Sequence, residues 1–246
     1  MSSGFRSDGY NVPIRKVIGD EVVYLDPDFA PFICQTESIG DLFDHGRAVS
    51  AGGRGGARIV SRDDYRFVVR KYLRGGLPGR LIKKSFLYLG EQQVRGVKEF
   101  TLLARMRDQG LPVPRPIATG FTKKGMVYRC TIVLEYIPDV QPLAGLIRDL
   151  RKDQWYDLGA LIRRFHRCGV YHADLNAYNI LVGQSGFYVI DFDKCYLVPG
   201  VLRRYSGYWM RRNIDRLYRS LEKENAGDPG LLSNGWQQLQ RGYFES

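Results

Sequence analysis

The two most specific motifs of the sequence read His172-Ala173-Asp174-Leu175-Asn176-Ala177-Tyr178-Asn179 and Val189-Ile190-Asp191-Phe192-Asp193. Two short β-rich runs, Ile180–Val182 and Phe187–Ile190, lie between the polar residues of these motifs and are joined by a glycine-bounded turn. Such a pattern predicts a β-hairpin. The hairpin would return Asp191 to the edge that holds Asn179, so we expect these two residues to lie close together.

The spacing H-x-D-x-x-x-x-N, followed after a hairpin by D-F, resembles the catalytic and metal-binding loops of the protein-kinase-like fold. The resemblance implies that Asp174 is the catalytic carboxylate, beside the attacking hydroxyl of the acceptor. Asn179 and Asp191 would hold Mg²⁺, which prefers hard oxygen ligands together with phosphate. We expect His172 to brace the loop rather than to take a proton. The alternative is a capped turn with solvated acids, which the joint spacing disfavours.

Residues upstream of these motifs are candidates for binding ATP. The run 65–72 is rich in β-branched and aromatic residues and predicts a strand. A glycine-rich run that includes Gly53 and Gly55 precedes it, where a nucleotide-covering loop would lie. This run lacks strict G-x-G-x-x-G spacing, and a plain flexible loop is the alternative.

The predicted strand also supplies a candidate phosphate-binding cation. Arg70 and Lys71 point to opposite faces of a strand, so only one of them can line the nucleotide site. By position, Arg70 matches the lysine that most kinases carry, although arginine and lysine bind phosphate differently. The expected partner is Glu99, in a helix predicted over Val97–Arg107. A solvated helix acid is the alternative for Glu99.

The chain is expected to adopt a two-lobed α+β protein-kinase-like fold. Residues 1–137 would form a β-rich N-terminal lobe and residues 138–246 a mainly helical C-terminal lobe. A strand predicted over Met126–Tyr136 leads into a hinge, whose backbone near Glu135 and Ile137 would receive the adenine. The second half contains a helix from an N-cap at Asp153 to Cys168. A last amphipathic helix places Ile214, Leu217, Tyr218 and Leu221 on one face and Arg212, Arg216 and Arg219 on the opposite one.

Positive charge is concentrated in two segments of the chain. The 246 residues carry a net charge of +11, and residues 70–84 and 203–219 together account for all of it. Such localisation points to an anionic partner. The basic residues assigned to binding the acceptor or a membrane are Arg74, Arg80, Lys83, Lys84, Arg212, Arg216 and Arg219.

Departures from the protein-kinase motifs narrow the class of substrate. Ala173 stands where regulated protein kinases have arginine, the second motif is D-F-D rather than D-F-G, and no A-P-E follows. Only 55 residues follow Asp191, too few for an ordinary peptide-substrate lobe. Kinases of small molecules and sugars fit this pattern better.

Within that group the chain resembles the bacterial 3-deoxy-D-manno-octulosonic acid (Kdo) kinases, relatives of the heptose kinases of lipopolysaccharide assembly. The resemblance rests on residues 72–77, 169–176 and 189–193 and spans about residues 51–196. It implies transfer of the ATP γ-phosphate to the 4-hydroxyl of Kdo on a lipid A precursor. It also implies a peripheral enzyme at the cytoplasmic face of the anionic inner membrane of a Gram-negative bacterium.

Three other functions stay open from the sequence. The first is a kinase for another acceptor, such as an inner-core heptose, an aminoglycoside or a protein, although the basic segments disfavour a cationic aminoglycoside. The second is a nucleic-acid-binding protein, but no RNP, KH or zinc-finger motif appears, so no nucleic-acid partner is expected. The third is a non-catalytic scaffold, which the joint presence of Asp174, Asn179 and Asp191 disfavours.

Cysteine usage and hydropathy suggest an intracellular protein. Four scattered cysteines form no C-x-x-C pair and are expected to be reduced and mostly buried. The longest apolar runs are far shorter than a membrane span, and the polar start of the chain does not resemble a secretory signal.

Overall fold

The computed structural model describes residues 13–48, 56–62, 64–72, 85–200, 206–225 and 229–246. These residues form an α+β fold with a strand-rich first part and a helical last part, as predicted. The chain divides into two units, each defined by the contacts among its own residues. The first contains the residues up to Gly110 together with Arg115–Tyr136, and the second contains Leu111–Pro114 and Ile137–Ser246.

The first unit is built on an antiparallel sheet with the strand order β1-β2-β7-β8-β5-β4-β3, and β6 pairs with β8. Its strands are β1 (Ile14–Ile18), β2 (Glu21–Leu25), β3 (Arg47–Ala48), β4 (Ala57–Arg62), β5 (Tyr65–Lys71), β6 (Phe86–Leu87), β7 (Pro116–Lys124) and β8 (Val127–Glu135). Strands β5 and β8 confirm the two strands predicted for this half of the chain.

Helices cover both faces of this sheet. The short helices α1 (Ala30–Ile33) and α2 (Ile39–Asp44) pack over a core that includes Val69 and Val133. The buried carboxylate of Glu21 accepts hydrogen bonds from the Ile39 N–H (2.8 Å) and the Ser38 hydroxyl, and burial raises the pKa of this glutamate. Helix α3 (Arg95–Asp108), predicted over 97–107, packs on β7 and β8.

The second unit combines three helices with short strands. The helices are α4 (Lys152–Arg167), α5 (Ser206–Glu224) and α6 (Pro229–Glu245). The strands are β9 (Gln141–Pro142), β10 (Val170–Tyr171), β11 (Ile180–Gly183), β12 (Gly186–Val189) and β13 (Tyr196–Leu197). Strands β11 and β12 form the predicted hairpin, in which Ile180 pairs with Val189 and Gly183 with Gly186.

Two details of the helices differ from the sequence predictions. The N-cap of α4 is Arg151 rather than Asp153, because the side chain of Gln154 accepts the Arg151 N–H at 3.1 Å. Asp153 lies in the first turn and pairs with Arg151 instead. The helix predicted as the last one, α5, is followed by α6, which the sequence analysis did not identify.

The thiols are less buried than the sequence suggests. All four cysteines are thiols rather than disulfides, as expected, but only Cys130 is buried. Cys34 is exposed because it follows the short helix α1, and its sulfur lies 3.1 Å from the amino group of Lys16. Among the described residues, none of the helices is long and apolar enough to cross a membrane.

Helices α4 and α6 approach each other closely through glycines. A Cβ atom at Gly159 would lie 1.9 Å from the carbonyl oxygen of Leu239, and one at Gly242 would lie 1.9 Å from that of Tyr156. A Cβ at Gly235 would meet the Trp155 ring at 2.5 Å. No side chain fits at these positions, so glycine sets the distance between the two helices.

The substitution Gly159→Ala tests this packing. We expect it to lower the free energy of unfolding by about 1–3 kcal/mol, because the added methyl group meets backbone that must move. Gly207→Ala is the matched control, since Gly207 is also helical but has open space around it. The control should leave stability unchanged or raise it by up to about 1 kcal/mol. Equal urea-unfolding midpoints for Gly159→Ala and the parent would contradict the account.

Candidate active site

The hairpin brings the two polar motifs together at one end. The Ile190 N–H donates to the Asn179 carbonyl at 2.9 Å, which extends the β11–β12 pairing by one residue pair. Asp191 is therefore the residue directly after the partner of Asn179. This arrangement is the juxtaposition that the spacing of the motifs predicts.

The buried side chain of His172 stabilises the predicted catalytic loop, residues 172–179. Its ring is buried, its Nδ1 accepts the Asp174 N–H at 3.2 Å, and its Nε2 donates to the Ile190 carbonyl at 3.0 Å. These two bonds require the neutral Nε2–H tautomer. Burial lowers the pKa of His172, which favours the same neutral form. His172 therefore links the backbone of the first motif to that of the second, in agreement with the bracing role expected for it.

Asn213 of α5 fixes the backbone of His172. The Asn213 side chain is buried, accepts the His172 N–H at 3.2 Å through Oδ1 and donates from Nδ2 to the His172 carbonyl at 2.8 Å. The Asn213 amide thus makes the two hydrogen bonds to the His172 backbone that a neighbouring strand would make. Further along α5, the Ser220 hydroxyl accepts the Ala177 N–H at 3.1 Å. Helix α5 therefore supports the loop at two points of its backbone.

A second buried histidine extends this network to the other helices. His166 of α4 hydrogen-bonds Tyr243 of α6 at 2.7 Å and lies 3.4 Å from Oδ1 of Asn213. Burial lowers the pKa of His166 to about 4, so this ring is also neutral near pH 7. All three helices of the second unit thus contribute to the support of His172.

The carboxylate of Asp174 faces solvent. Its side chain is 56% exposed, and one of its oxygens lies 3.0 Å from a guanidinium nitrogen of Arg216. Arg216 lies on the face of α5 opposite the apolar stripe, together with Arg212 and Arg219, as the sequence predicts. It is the one of these three arginines nearest in angle to Ser220 and Asn213, which face the loop, so its guanidinium reaches Asp174 and its side chain is 43% exposed. Arg212 and Arg219 are exposed, as predicted.

The donor groups of Asn179 and Asp191 suit a magnesium ion. The Asn179 amide nitrogen donates to the Asp174 carbonyl at 2.8 Å, which identifies Oδ1 as the oxygen that can act as a ligand. Asp191 adopts a left-handed backbone conformation, with φ of 63°, that is uncommon for residues other than glycine. An amide oxygen and a carboxylate are the ligands that Mg²⁺ accepts beside phosphate. The residues present therefore fit the ion.

The next residue, Phe192, stabilises the left-handed backbone conformation of Asp191. Phe192 is 1% exposed, stacks on Phe165 with ring centroids 6.2 Å apart and meets the His172 ring edge-on at 4.9 Å. Its burial fixes the chain on the far side of the strained residue. The aromatic of the D-F pair thus anchors the carboxylate that precedes it.

In the first unit, a buried ion pair joins Arg70 of β5 to Glu99 of α3. A guanidinium nitrogen of Arg70 lies 2.5 Å from the Glu99 carboxylate, whose side chain is only 1% exposed. The Tyr72 hydroxyl donates to the same carboxylate at 2.6 Å. The pair that the sequence predicts is present. The phosphate-binding role of Arg70 stays a prediction.

Lys71 points to the opposite face of β5. Its amino group lies 3.0 Å from the Asp44 carboxylate and 4.7 Å from the centre of the Phe43 ring. Of the two candidate cations, Arg70 is therefore the one that contacts Glu99.

Several predicted site residues remain without a structural test. At the predicted hinge, the Glu135 N–H donates to the Arg115 carbonyl at 2.9 Å and the Tyr136 N–H to the Arg66 carbonyl at 3.3 Å. These N–H groups are used within the first unit, and adenine binding at Glu135 and Ile137 stays a prediction. Six further residues lie outside the described residues, namely Gly53, Gly55, Arg74, Arg80, Lys83 and Lys84.

A family model described as the lipopolysaccharide kinase (Kdo/WaaP) family matches residues 43–243. That range contains β5, α3, the catalytic loop, the hairpin and α5. The chain belongs to this family. It is therefore a kinase, and the family implies that it uses ATP.

Curated relatives from Xanthomonas and Stenotrophomonas agree with this assignment. The chain is 39% identical over 203 residues to a "3-deoxy-D-manno-octulosonic acid kinase" of Xanthomonas oryzae pv. oryzae (strain PXO99A), covering 81% of this chain and 80% of the relative. It is 42% identical over 182 residues to the enzyme of that name from Xanthomonas euvesicatoria pv. vesicatoria (strain 85-10), covering 73% and 71%. The relative from Stenotrophomonas maltophilia (strain K279a) is 42% identical over 180 residues, covering 72% and 70%.

A solved structure shares the fold at low sequence identity. The chain matches a structure titled "WaaP in complex with acyl carrier protein" with a TM-score of 0.60, 17% identity and coverage of 91% of this chain and 89% of that one. This likeness confirms the predicted kinase-like α+β fold.

The sequence analysis missed two residues that this kinase places at its catalytic loop. Asn213 and Ser220 lie seven positions apart on α5, on one face of the helix. The prediction for this helix rested instead on the apolar stripe of Ile214, Leu217 and Leu221. The signal that was present is a polar pair, an asparagine and a serine, next to that stripe in a helix whose other polar residues are mostly charged.

Proposed function

We propose that this kinase transfers the γ-phosphate of ATP to the 4-hydroxyl of Kdo on a lipid A precursor. The reaction would take place at the cytoplasmic face of the inner membrane of a Gram-negative bacterium, with the enzyme bound peripherally. The curated relatives named as Kdo kinases, at about 40% identity over most of the chain, support the acceptor. The observation that carries the proposal is the contact between Asp174 and Arg216.

That contact places the guanidinium of Arg216, a group that can bind a carboxylate of the acceptor, beside the proposed catalytic carboxylate of Asp174. Guanidinium groups bind carboxylates through paired hydrogen bonds. Kdo carries a carboxylate, whereas a heptose does not. A guanidinium at Asp174 therefore favours an acidic sugar over a neutral one as the acceptor. Arg216 is 43% exposed on its side chain, so an acceptor can reach it.

Asp174 would act on the acceptor hydroxyl. Its exposed carboxylate accepts the hydroxyl proton while the sugar oxygen forms a bond to the γ-phosphorus. The bond from that phosphorus to the β–γ bridging oxygen breaks, and ADP leaves. His172 and Asn213 hold the backbone on which Asp174 sits, so the carboxylate is positioned before the acceptor arrives.

Asn179 and Asp191 would hold Mg²⁺ through the amide oxygen and the carboxylate. The ion, when bound, neutralises charge on the phosphate groups that react. The left-handed conformation of Asp191, fixed by the buried Phe192, orients the carboxylate. Arg70 would bind the nucleotide phosphates, with Glu99 holding the guanidinium in place by a buried ion pair.

Asp174→Asn tests the catalytic assignment. We expect it to reduce transfer of labelled γ-phosphate from ATP onto a detergent-dispersed, Kdo-bearing lipid A precursor at least about a hundredfold, because the amide cannot accept the proton. The same precursor lacking Kdo should take up no label from the parent enzyme. Parent-like turnover by a folded Asp174→Asn protein would remove Asp174 from catalysis. Label on the precursor lacking Kdo would overturn the acceptor.

Arg70→Ala and Lys71→Ala separate the two candidate phosphate-binding cations. We expect Arg70→Ala to weaken Mg²⁺–ATP binding at least about tenfold and Lys71→Ala to leave it unchanged. The reason is that Glu99 holds the guanidinium of Arg70, whereas Lys71 pairs with Asp44 on the opposite face of β5. Isothermal titration calorimetry measures both affinities. Equal, small effects would reject both residues as phosphate ligands.

Arg216→Ala tests acceptor recognition, with Arg211→Ala as the control, since Arg211 is on the same helix and its side chain is 82% exposed. We expect Arg216→Ala to raise the KM for the Kdo acceptor at least about tenfold and to leave the affinity for ATP unchanged. Arg216→Lys should recover part of the loss. If Arg216→Ala and Arg211→Ala have the same KM as the parent, Arg216 does not bind the acceptor.

A further inference from the structure

Four exposed hydrophobic side chains lie together at one corner of the first unit. They belong to the β7–β8 turn, to β6 and to the residues just after β6: Leu87 (52% exposed), Leu89 (71%), Met126 (76%) and Val127 (38%). The Tyr88 N–H donates to the Met126 carbonyl at 2.9 Å, which holds the two segments side by side. We refer to these four residues as the apolar corner. Contiguous exposed apolar surface of this kind marks an interaction site.

The strand register shows why these side chains share a face. Leu87 of β6 is the cross-strand partner of Val127 of β8, and Val127 is in turn the partner of Lys124 of β7. Directly paired residues point to the same face of a sheet. The neighbouring pair, Phe86 and Tyr128, points to the other face and is buried. A row of Lys124, Val127 and Leu87 therefore crosses three strands on the outer face.

Basic residues flank the apolar corner. Arg129 lies two positions beyond Val127 on β8 and so points to the same face, where its Nε is 3.4 Å from the Ser85 hydroxyl. Lys124 lies on this face as the partner of Val127, whereas Lys123, the partner of Tyr128, points to the opposite face, with its amino group 4.7 Å from the centre of the Tyr88 ring. Residues 85–89 and 122–130 contain three basic residues and no acidic one.

Two carboxylates near the apolar corner are already used. Glu91, two residues after Leu89, pairs with Arg15 at 2.7 Å and accepts the Tyr24 hydroxyl at 2.7 Å. Glu21 is paired with Thr122 of β7 in the sheet, but its carboxylate is buried against the start of α2. Asp20 is exposed and lines the same surface as Lys124 and Arg129, so it offsets one of the positive charges there and leaves the basic residues in excess.

We infer that the apolar corner is the surface by which this kinase docks on an anionic lipid bilayer. Apolar side chains that stand on a turn enter the boundary between headgroups and acyl chains, while lysine and arginine meet the lipid phosphates. This inference rests on the proposed function for the lipid-linked nature of the acceptor. The occupant is argued from the mixture of exposed aliphatic and basic side chains on one face, which matches a bilayer interface in both hydrophobicity and charge.

The test compares binding of the full-length protein to sedimented vesicles of phosphatidylcholine with and without phosphatidylglycerol. The double variant Leu89→Asp/Met126→Asp should bind anionic vesicles at least about tenfold more weakly than the parent, because two inserted side chains are lost. The variant Lys124→Ala/Arg129→Ala, which removes the two basic side chains on the face of the apolar corner, should lose most of the preference for phosphatidylglycerol. Phe244→Asp is the matched control, since Phe244 on α6 is equally exposed, and it should bind as the parent does.

Three results would overturn the inference. The first is a parent protein that does not bind anionic vesicles, and the second is equal binding by the parent and the Leu89→Asp/Met126→Asp variant. The third is a parent whose apolar corner binds an acidic soluble protein and no vesicle. Thermal unfolding of each variant shows that the fold is kept, which is expected because the substituted side chains face solvent.

Activity separates this inference from the proposed function. On a detergent-dispersed Kdo acceptor, the Leu89→Asp/Met126→Asp variant should transfer phosphate at the parental rate, while transfer to the same acceptor in vesicles should fall with binding. If the parent phosphorylates no Kdo acceptor yet the variants show the predicted vesicle binding, the proposed function fails and the docking surface stands. Parental transfer to acceptor in vesicles by the variant would overturn the docking surface alone.

Discussion

A neutral, buried imidazole is the constraint on which the active site of this lipopolysaccharide kinase depends. His172 accepts the Asp174 N–H on one ring nitrogen and donates to the Ile190 carbonyl from the other. Only one protonation state and one tautomer satisfy both bonds. The ring therefore ties the residue before Asp191, the proposed metal ligand, to Asp174, the proposed catalytic residue. Protonation of the ring would break one of these bonds within a buried site.

The helices of the second unit are arranged around that ring. Asn213 holds the backbone of His172, and His166 and Tyr243 connect Asn213 to α4 and α6. The close approach of α4 and α6 through Gly159 and Gly242 brings these two helices together. The side chains proposed to act on the acceptor, in contrast, face outward: Asp174 and Arg216 are both about half exposed. A buried, uncharged hydrogen-bond network thus supports an exposed pair of charged side chains.

The sequence predicts those parts of this structure that depend on local pattern. The catalytic motifs, the hairpin between them and the Arg70–Glu99 pair follow from spacing and alternation along the chain. Helix α6 was missed because its glycines lower helix propensity, and their value appears only in contact with α4. The backbone contacts of Asn213 and the contact of Arg216 with Asp174 were missed for a related reason. Their partners lie about forty residues away in the sequence, and periodicity alone does not show which face of α5 meets the catalytic loop.

The most direct test of this account is the protonation state of His172, measured by ¹⁵N NMR on the imidazole-labelled protein, with His172→Asn used to assign the signals. The account predicts a neutral ring with the proton on Nε2 that stays neutral as the pH falls below about 6.5, the ordinary value for histidine. Because the folded-state pKa is lowered, the stabilisation from His172 is complete above that pH and is lost as the pH falls toward the folded-state pKa. An imidazolium already present in the folded protein at pH 7, or a neutral ring with the proton on Nδ1, would contradict the account.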